Sequence, residues 1–255
     1  MKQVVLSKRL QMLADMVSEG NRLVDVGCDH GFLSIYLVQT GKCPKALAMD
    51  VRKGPLAAAK THVEEAGLGA YIETRLSDGL LEYSKGEADT LVCAGMGGPL
   101  MEKILRESDG KAKALKELIL QPQSEIKEFR QYLRTNGFRI EAEDAVIDEG
   151  KYYFCMRAVP VAEEVPGDCR GTGRDGKVTA VGELSCREQC LYDTYGELLL
   201  KGRHPVLYAY LQQRLEYVRK LENSLAETGS EKALVRIGEV REELKELEEA
   251  LLYFE

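Results

Sequence analysis

The chain has 255 residues and 44% hydrophobic content, enough for one large domain or a medium domain plus an appendage. Its formal net charge of −7 excludes a protein that coats nucleic acid nonspecifically, yet the charge is uneven: residues 1–160 hold 22 Lys+Arg against 23 Asp+Glu, and residues 161–255 hold 13 against 19. No run of about 18 uncharged apolar residues occurs, and Lys8, Arg9 and Asp15 interrupt any apolar leader, so a cytoplasmic protein with no membrane span is expected.

Leu6–Val17 reads as an amphipathic helix with Ser7 as its N-cap. Residues 22–27 form a buried strand, 31–40 a helix ended by Gly41, and Ala46–Asp50 a second strand. Pro55 suits the first turn of a helix running to Ala66, stopped by Gly67. Tyr71–Arg75 is a third strand and Thr90–Ala94 a fourth, followed by Gly95-Met96-Gly97-Gly98-Pro99 and a helix over 100–108. Leu118–Leu120 is a fifth strand that ends at Gln121-Pro122-Gln123, with a helix over 124–135 behind it. Gly137–Ile147 and Lys151–Val159 are two strands joined by the turn Asp148-Glu149-Gly150. Strands alternating with helices imply an α/β fold with a mainly parallel sheet, closed here by an antiparallel hairpin.

Residues 162–182 break this pattern. They lack periodicity and are rich in turn formers, which predicts an exposed, mobile loop. The last segment is helical: Ala233, Ile237, Val240, Leu244, Leu247 and Leu251 repeat at coiled-coil spacing, and Leu207, Leu211, Leu215, Val218 and Leu225 form a similar stripe upstream. Thr228-Gly229-Ser230 lies between them, with Ser230 as an N-cap, so an antiparallel helical hairpin is expected. Its seam closes on itself or on a second copy, which allows a monomer or a weak homodimer. The expected divisions are 1–160, a loop or insertion at 161–184, and a helical coiled-coil unit at 185–255. The seven cysteines are odd in number and scattered, which suits free thiols. Cys186 and Cys190 would make half a metal site, but no second pair or nearby His completes it, so no metal is expected.

Function is concentrated at the strand ends. Leu23-Val24-Asp25-Val26-Gly27-Cys28-Asp29-His30-Gly31 is a strand running into a small-residue turn that opens a helix, and Asp50 ends the next strand. This pattern holds the adenosine half of a cofactor. A dinucleotide turn has a second glycine that lets a diphosphate approach the helix N-terminus; here that position is Asp29, whose charge opposes a diphosphate. A carboxylate suits S-adenosylmethionine, which carries a sulfonium and an amino acid head and no phosphate. Asp25-x-Gly27-x-Asp29-x-Gly31 fits the acidic, glycine-rich turn of class I methyltransferases, Asp50 the ribose site, and Ser77-Asp78-Gly79 the adenine site. Ala94-Gly95-Met96-Gly97-Gly98 ends the fourth strand beside the expected sulfonium. Each residue also has a structural reading: Asp25 as a strand-end hydrogen bonder, Asp50 and His30 as helix caps, Asp78 as a turn former, Gly97-Gly98 as a helix start.

The chain resembles the bacterial tRNA (adenine-22)-N1-methyltransferases. The resemblance covers about 5–160 and 190–255. It is carried by Leu6-Ser7-Lys8-Arg9-Leu10, Asp25-Val26-Gly27-Cys28-Asp29-His30, Asp50-Val51-Arg52-Lys53-Gly54-Pro55, Arg75-Leu76-Ser77-Asp78-Gly79-Leu80 and Ala94-Gly95-Met96-Gly97-Gly98, with Leu120-Gln121-Pro122-Gln123 and Tyr195-Gly196-Glu197-Leu198-Leu199 downstream. It departs from the family at Gly31-Phe32, where Ala-Tyr is expected, at Cys28 in place of Ser, and at Asp50, where Glu is common. The resemblance implies a Rossmann-like methyltransferase sheet plus a helical coiled-coil unit. It also implies S-adenosylmethionine as cofactor and methyl transfer to N1 of adenine 22 in tRNA.

On this reading Arg9, Asp25, Gly27, Cys28, Gly31, Asp50, Val51, Asp78, Gly79, Ala94, Gly95 and Met96 bind the cofactor. Asp29 and His30 are the catalytic candidates, Asp29 because the methylated base is cationic. Lys8, Arg52, Lys53, Gly97 and Gly98 meet the substrate, with Arg130, Arg134 and Arg139 as further phosphate contacts. Other RNA or small substrates, a noncatalytic RNA-binding protein and an NAD-dependent oxidoreductase stay open at this point.

Overall fold

The computed structural model describes residues 3–161, 186–228 and 231–255. The expected loop over 162–182 and the Ser230 cap lie outside the described residues.

The first helix, α1 (Lys8–Met16), is capped as expected: Ser7 Oγ accepts from the Leu10 amide at 3.4 Å. The strands β1 (Leu23–Val26) and β2 (Ala46–Asp50) are buried along their whole length, the burial expected of parallel strands covered on both faces. Between them runs α2 (Phe32–Gln39). Then come α3 (Lys53–Glu65), β3 (Ile72–Leu76), β4 (Thr90–Met96), α4 (Gly98–Arg106), β5 (Glu117–Pro122) and α5 (Ile126–Thr135). The hairpin is β6 (Phe138–Asp148) and β7 (Lys151–Pro160). Its two-residue turn places Glu149 at φ 49° and Gly150 at φ 77°, the paired left-handed conformation that matches strand twist.

Seven strands form one sheet in the order β3-β2-β1-β4-β5-β7-β6. β1 pairs in parallel with both β2 and β4, so the strand order reverses at β1/β4. Ligands bind outside the carboxyl ends of strands at such a reversal. The hairpin closes the sheet antiparallel, with β7 rather than β6 against β5.

Sequence and structure differ mainly at ends. The third helix begins at Lys53, two residues before Pro55, which still falls in the first turn where an amide has no helical partner. β4 runs on to Met96 and α4 starts at Gly98, because Gly97 and Gly98 lie against the chain at 124–125: a Cβ on Gly98 would sit 2.8 Å from Ser124 O and 2.9 Å from Glu125 O.

The C-terminal part comprises α6 (Cys186–Tyr195), α7 (Glu197–Lys201), α8 (Pro205–Thr228) and α9 (Glu231–Leu251). Leu207, Leu211, Val218, Ile237, Val240 and Leu247 of the two predicted stripes are buried. Ion pairs Arg214–Glu243 at 2.6 Å and Arg241–Glu222 at 2.7 Å flank the α8–α9 contact. These helices dock on the closing hairpin: Tyr210 meets Tyr152 and Phe154 edge-on, with ring centroids 5.3 and 5.4 Å apart. Among the described residues no helix is long and apolar enough to cross a membrane.

Arg130 corrects a sequence expectation. Instead of a phosphate contact it is 4% exposed, with Nε donating to Glu143 Oε1 at 2.9 Å and Nη1 to the carbonyls of Asp193 and Thr194. Arg134 is likewise paired with Asp193 at 3.0 Å. An amphipathic helix pattern cannot distinguish a solvated basic face from one that docks onto a second helical layer. Arg139 remains exposed beside Glu141.

Candidate active site

The β1–α2 turn is built from alternating left-handed residues: Gly27 at φ 76°, Asp29 at φ 50° and Gly31 at φ 74°. Asp is among the few side chains that tolerate this conformation, so it can occupy a glycine-like position while adding a charge. Gly27 suits this turn because its φ of 76° strains any residue with a Cβ, and a Cβ there would also require the Met96 methyl to move. Gly31 has a packing role: a Cβ would lie 3.2 Å from Ala59 Cβ on α3.

Beside this turn, over the carboxyl ends of the strands, lies a cavity of about 490 Å³. Arg9, Asp25, Gly27, Cys28, Asp29, His30, Asp50, Val51, Arg52, Asp78, Gly79, Ala94, Gly95 and Met96 all line it, so the expected residues from five separate segments meet in one place. Gly31, Lys8, Lys53, Gly97 and Gly98 do not line it. Lys8 and Lys53 are exposed, while Gly97 and Gly98 abut the start of α5.

Asp25 is buried at the tip of β1, where Ser34 Oγ donates to its Oδ2 at 2.8 Å. Burial pushes its carboxyl up to about 6; the Ser34 hydroxyl opposes that shift and the Asp50 charge adds to it. Asp50 accepts from the Arg52 amide at 2.8 Å and the Asp29 amide at 3.3 Å, which fixes its carboxylate toward the turn. Asp78 is exposed to the cavity and makes no side-chain hydrogen bond to another described residue. Burial drives the Cys28 thiol well above the usual range, so it stays protonated.

Arg9 reaches in from α1. Asp148 accepts from its amide at 3.0 Å, Nη1 donates to Gln121 Oε1 at 3.1 Å, and the guanidinium sits 5.5 Å from the Tyr153 ring centroid. Four carboxylates against two guanidinium groups give the lining a negative balance. That balance opposes a diphosphate and fits a bound sulfonium with an ammonium group.

Some lining residues were not singled out from sequence. Phe32 is 40% exposed at the start of α2 and stacks on His62 of α3 at 4.9 Å and on His30 at 5.8 Å. Leu100, Ile104 and Gln123 also line the cavity. Sequence carries no signal for Phe32, since an apolar residue at a helix start reads as core. Gln123 stands in the quoted Gln-Pro-Gln end of β5, the same sheet edge as every other site residue.

A family model described as a methyltransferase domain matches residues 6–156. The tRNA (adenine(22)-N(1))-methyltransferase of Bacillus subtilis (strain 168) is 31% identical over 252 residues, covering 98% of this chain and 99% of that protein. A solved structure of the B. subtilis m1A22 tRNA methyltransferase superposes with TM-score 0.77 at 27% identity, covering 98% of this chain and 100% of the other. A Streptococcus pneumoniae protein solved in complex with S-adenosyl-L-methionine gives TM-score 0.77 at 30% identity, covering 97% of this chain and 100% of the other.

Proposed function

The chain belongs to the tRNA (adenine-22)-N1-methyltransferase family, and we propose that it transfers a methyl group from S-adenosylmethionine to N1 of the adenine at position 22 in tRNA. The observation that carries this reading is the carboxylate-rich cavity at the β1/β4 reversal, with Gly27 bare beneath it.

When bound, S-adenosylmethionine supplies an electrophilic methyl group on a sulfonium. The residues divide the task of holding it. Asp50 takes the ribose hydroxyls and Asp78 the adenine amine, with Val51 and Gly79 flanking the rings. Asp25 faces the ammonium, Arg9 the carboxylate, and Gly27, Cys28, Ala94, Gly95 and Met96 form the wall around the sulfur. Gly31 acts one step away by seating α2 against α3.

Adenine N1 has a free lone pair at neutral pH, so no proton has to leave before attack, and alignment supplies most of the acceleration, roughly 7–11 kcal/mol. Asp29, with its side chain 62% exposed at the mouth, stabilises the cationic product. His30 orients the base. Lys8, Arg52 and Lys53 contact phosphates, while Gly97-Gly98, packed against the start of α5, set where α4 begins instead of meeting the substrate. The base is extruded from the folded tRNA at a cost of a few kcal/mol.

We assign 1–160 to cofactor binding and catalysis and 185–255 to a helical unit that contacts the tRNA body by shape. The buried α8–α9 seam favours a monomer over a weak homodimer. The site lies in the cytoplasm with its substrate. Incubation of tRNA with the protein and S-adenosylmethionine, followed by nucleoside mass spectrometry, yields 1-methyladenosine on this reading. Unmodified tRNA would refute it and leave a binding-only protein or one acting on another substrate.

A further inference from the structure

The two glutamines at the end of β5 are employed in opposite ways. Gln121 is 1% exposed and engaged at both ends: Oε1 accepts from Arg9, and Nε2 donates to Pro122 O at 3.2 Å. Gln123 is exposed, lines the cavity, and its side-chain amide makes no hydrogen bond to another described residue. Its main chain, by contrast, is pinned: the Gln123 amide donates to Met96 O at 2.8 Å. A free amide is therefore held on a fixed stem beside Gly95, where an added Cβ would lie 3.8 Å from Gln123 Nε2 and 3.2 Å from Arg9 Nη1.

Sheet order places this amide relative to the other lining residues. Asp78 and Asp50 belong to the β3 and β2 end of the cavity, Gly27 to β1, and Gly95 and Met96 to β4. Those strands carry the residues that would hold S-adenosylmethionine, Asp50 and Asp78 its adenosine and Gly95 and Met96 its sulfur end. The tip of β5 lies one strand, about 4.8 Å, beyond β4 and so next to the residues that would hold the sulfur end, where a base attacking the methyl group would have to be placed. Gln123 is the cavity-lining polar side chain of that strand tip.

Resting on the reading above, we infer that Gln123 reads the target adenine through its N6 and N7 edge. An enzyme that methylates N1 cannot tie up that nitrogen in recognition, which leaves N6–H as donor and N7 as acceptor. A glutamine amide matches this pair, with Oε1 accepting from N6–H and Nε2 donating to N7. Guanine offers two acceptors on the same edge and cannot satisfy Oε1.

The contact also favours the chemical step. As the N1 lone pair forms the N–CH3 bond, the S–CH3 bond breaks with its electron pair left on sulfur, and no proton moves. The positive charge passes to the base and spreads onto N6, so N6–H becomes a stronger donor to Oε1 in the transition state than in the ground state.

The test is a cycle on full-length protein: wild type and Gln123→Ala, each with tRNA carrying adenosine or 7-deazaadenosine at position 22. Single-turnover rates and S-adenosylhomocysteine affinity are measured for both. Wild type is expected to slow roughly 5- to 150-fold on the 7-deaza substrate, whereas Gln123→Ala treats both substrates alike at the lower rate, with cofactor affinity held within about twofold. A variant that keeps the full 7-deaza penalty, or that loses cofactor affinity in step with rate, overturns the assignment. Wild-type protein that methylates neither tRNA overturns the family function, and this inference with it.

Discussion

Gly27 and Met96 meet across the β1/β4 reversal: the Met96 methyl occupies the space a side chain on Gly27 would need, and Gly27 itself sits at φ 76°. The floor of the cofactor cavity is thereby set by one residue without a side chain and another that fills its place.

Gly27→Ala therefore meets two obstacles. The left-handed conformation costs about 1–2 kcal/mol for a residue with a Cβ, and the methyl of Met96, a residue that lines the cavity, must be displaced. S-Adenosylhomocysteine affinity measured by calorimetry is expected to fall at least tenfold, about 1.4 kcal/mol. Adding Met96→Ala relieves the collision and restores part of the loss, because the backbone strain remains.

Asp25 predicts a pH dependence with a definite sign. Its carboxyl is raised to about 6 by burial, so it is neutral in the free protein below that pH and cannot face the cofactor's ammonium. Cofactor affinity should weaken as pH falls below 6, by up to about tenfold per unit, and Asp25→Asn should flatten the profile while lowering affinity at pH 7.5. Stability runs the other way. An acid whose folded value is raised contributes stability fully present below about pH 4 and lost as pH rises through 6. Free Asp25→Asn should accordingly melt higher than wild type at pH 8, and a melt unchanged or lowered there counts against a buried anion.

The Arg130–Glu143 pair ties α5 and β6 to the corner between α6 and α7, where Glu143 Oε2 also accepts from the Leu198 amide at 3.1 Å. Both side chains are almost fully buried, at 4% and 1% exposure. Arg130→Met leaves a buried carboxylate unpaired and should cost about 3–5 kcal/mol in urea denaturation, with much of the loss recovered in Arg130→Met/Glu143→Gln. A loss under about 1 kcal/mol would place the pair in solvent.

The roles proposed for Asp50 and Asp78 in cofactor binding can be tested apart from folding most cleanly at Asp78. Asp50→Asn removes the charge and can keep only one of its two backbone contacts, the Arg52 amide at 2.8 Å, giving up the longer one to the Asp29 amide at 3.3 Å, whereas the Asp78 side chain makes no hydrogen bond to another described residue. Each should weaken S-adenosylhomocysteine by roughly 5- to 30-fold, as expected for charged hydrogen bonds worth about 1–2 kcal/mol, with little change in melting temperature for Asp78→Asn and a modest drop for Asp50→Asn. Unaltered calorimetric affinity in both would remove the adenosine half of the assignment.

The strand tips were legible because each couples an apolar run to a turn residue with a backbone reason to be there: Gly27 for its left-handed bend, Asp50 for the amides it accepts, Gly79 for its contact with Ile104. Residues whose place depends on layers distant in sequence were not. Arg130 reads as an exposed basic position until α6 covers it, and Phe32 reads as core until the turn leaves it at the mouth. Gln121 and Gln123 are indistinguishable as letters; their different roles come from Arg9, 112 positions from Gln121.

The most direct test of methyl transfer to adenine 22 uses S-adenosylmethionine with a deuterated methyl group and two tRNA transcripts that differ only by adenine or guanine at position 22. The account predicts one labelled methyl per adenine-22 transcript, recovered as 1-methyladenosine and read as a reverse-transcription stop at that position, with no label on the guanine-22 transcript. Equal labelling of both transcripts, or label at another position, would contradict it.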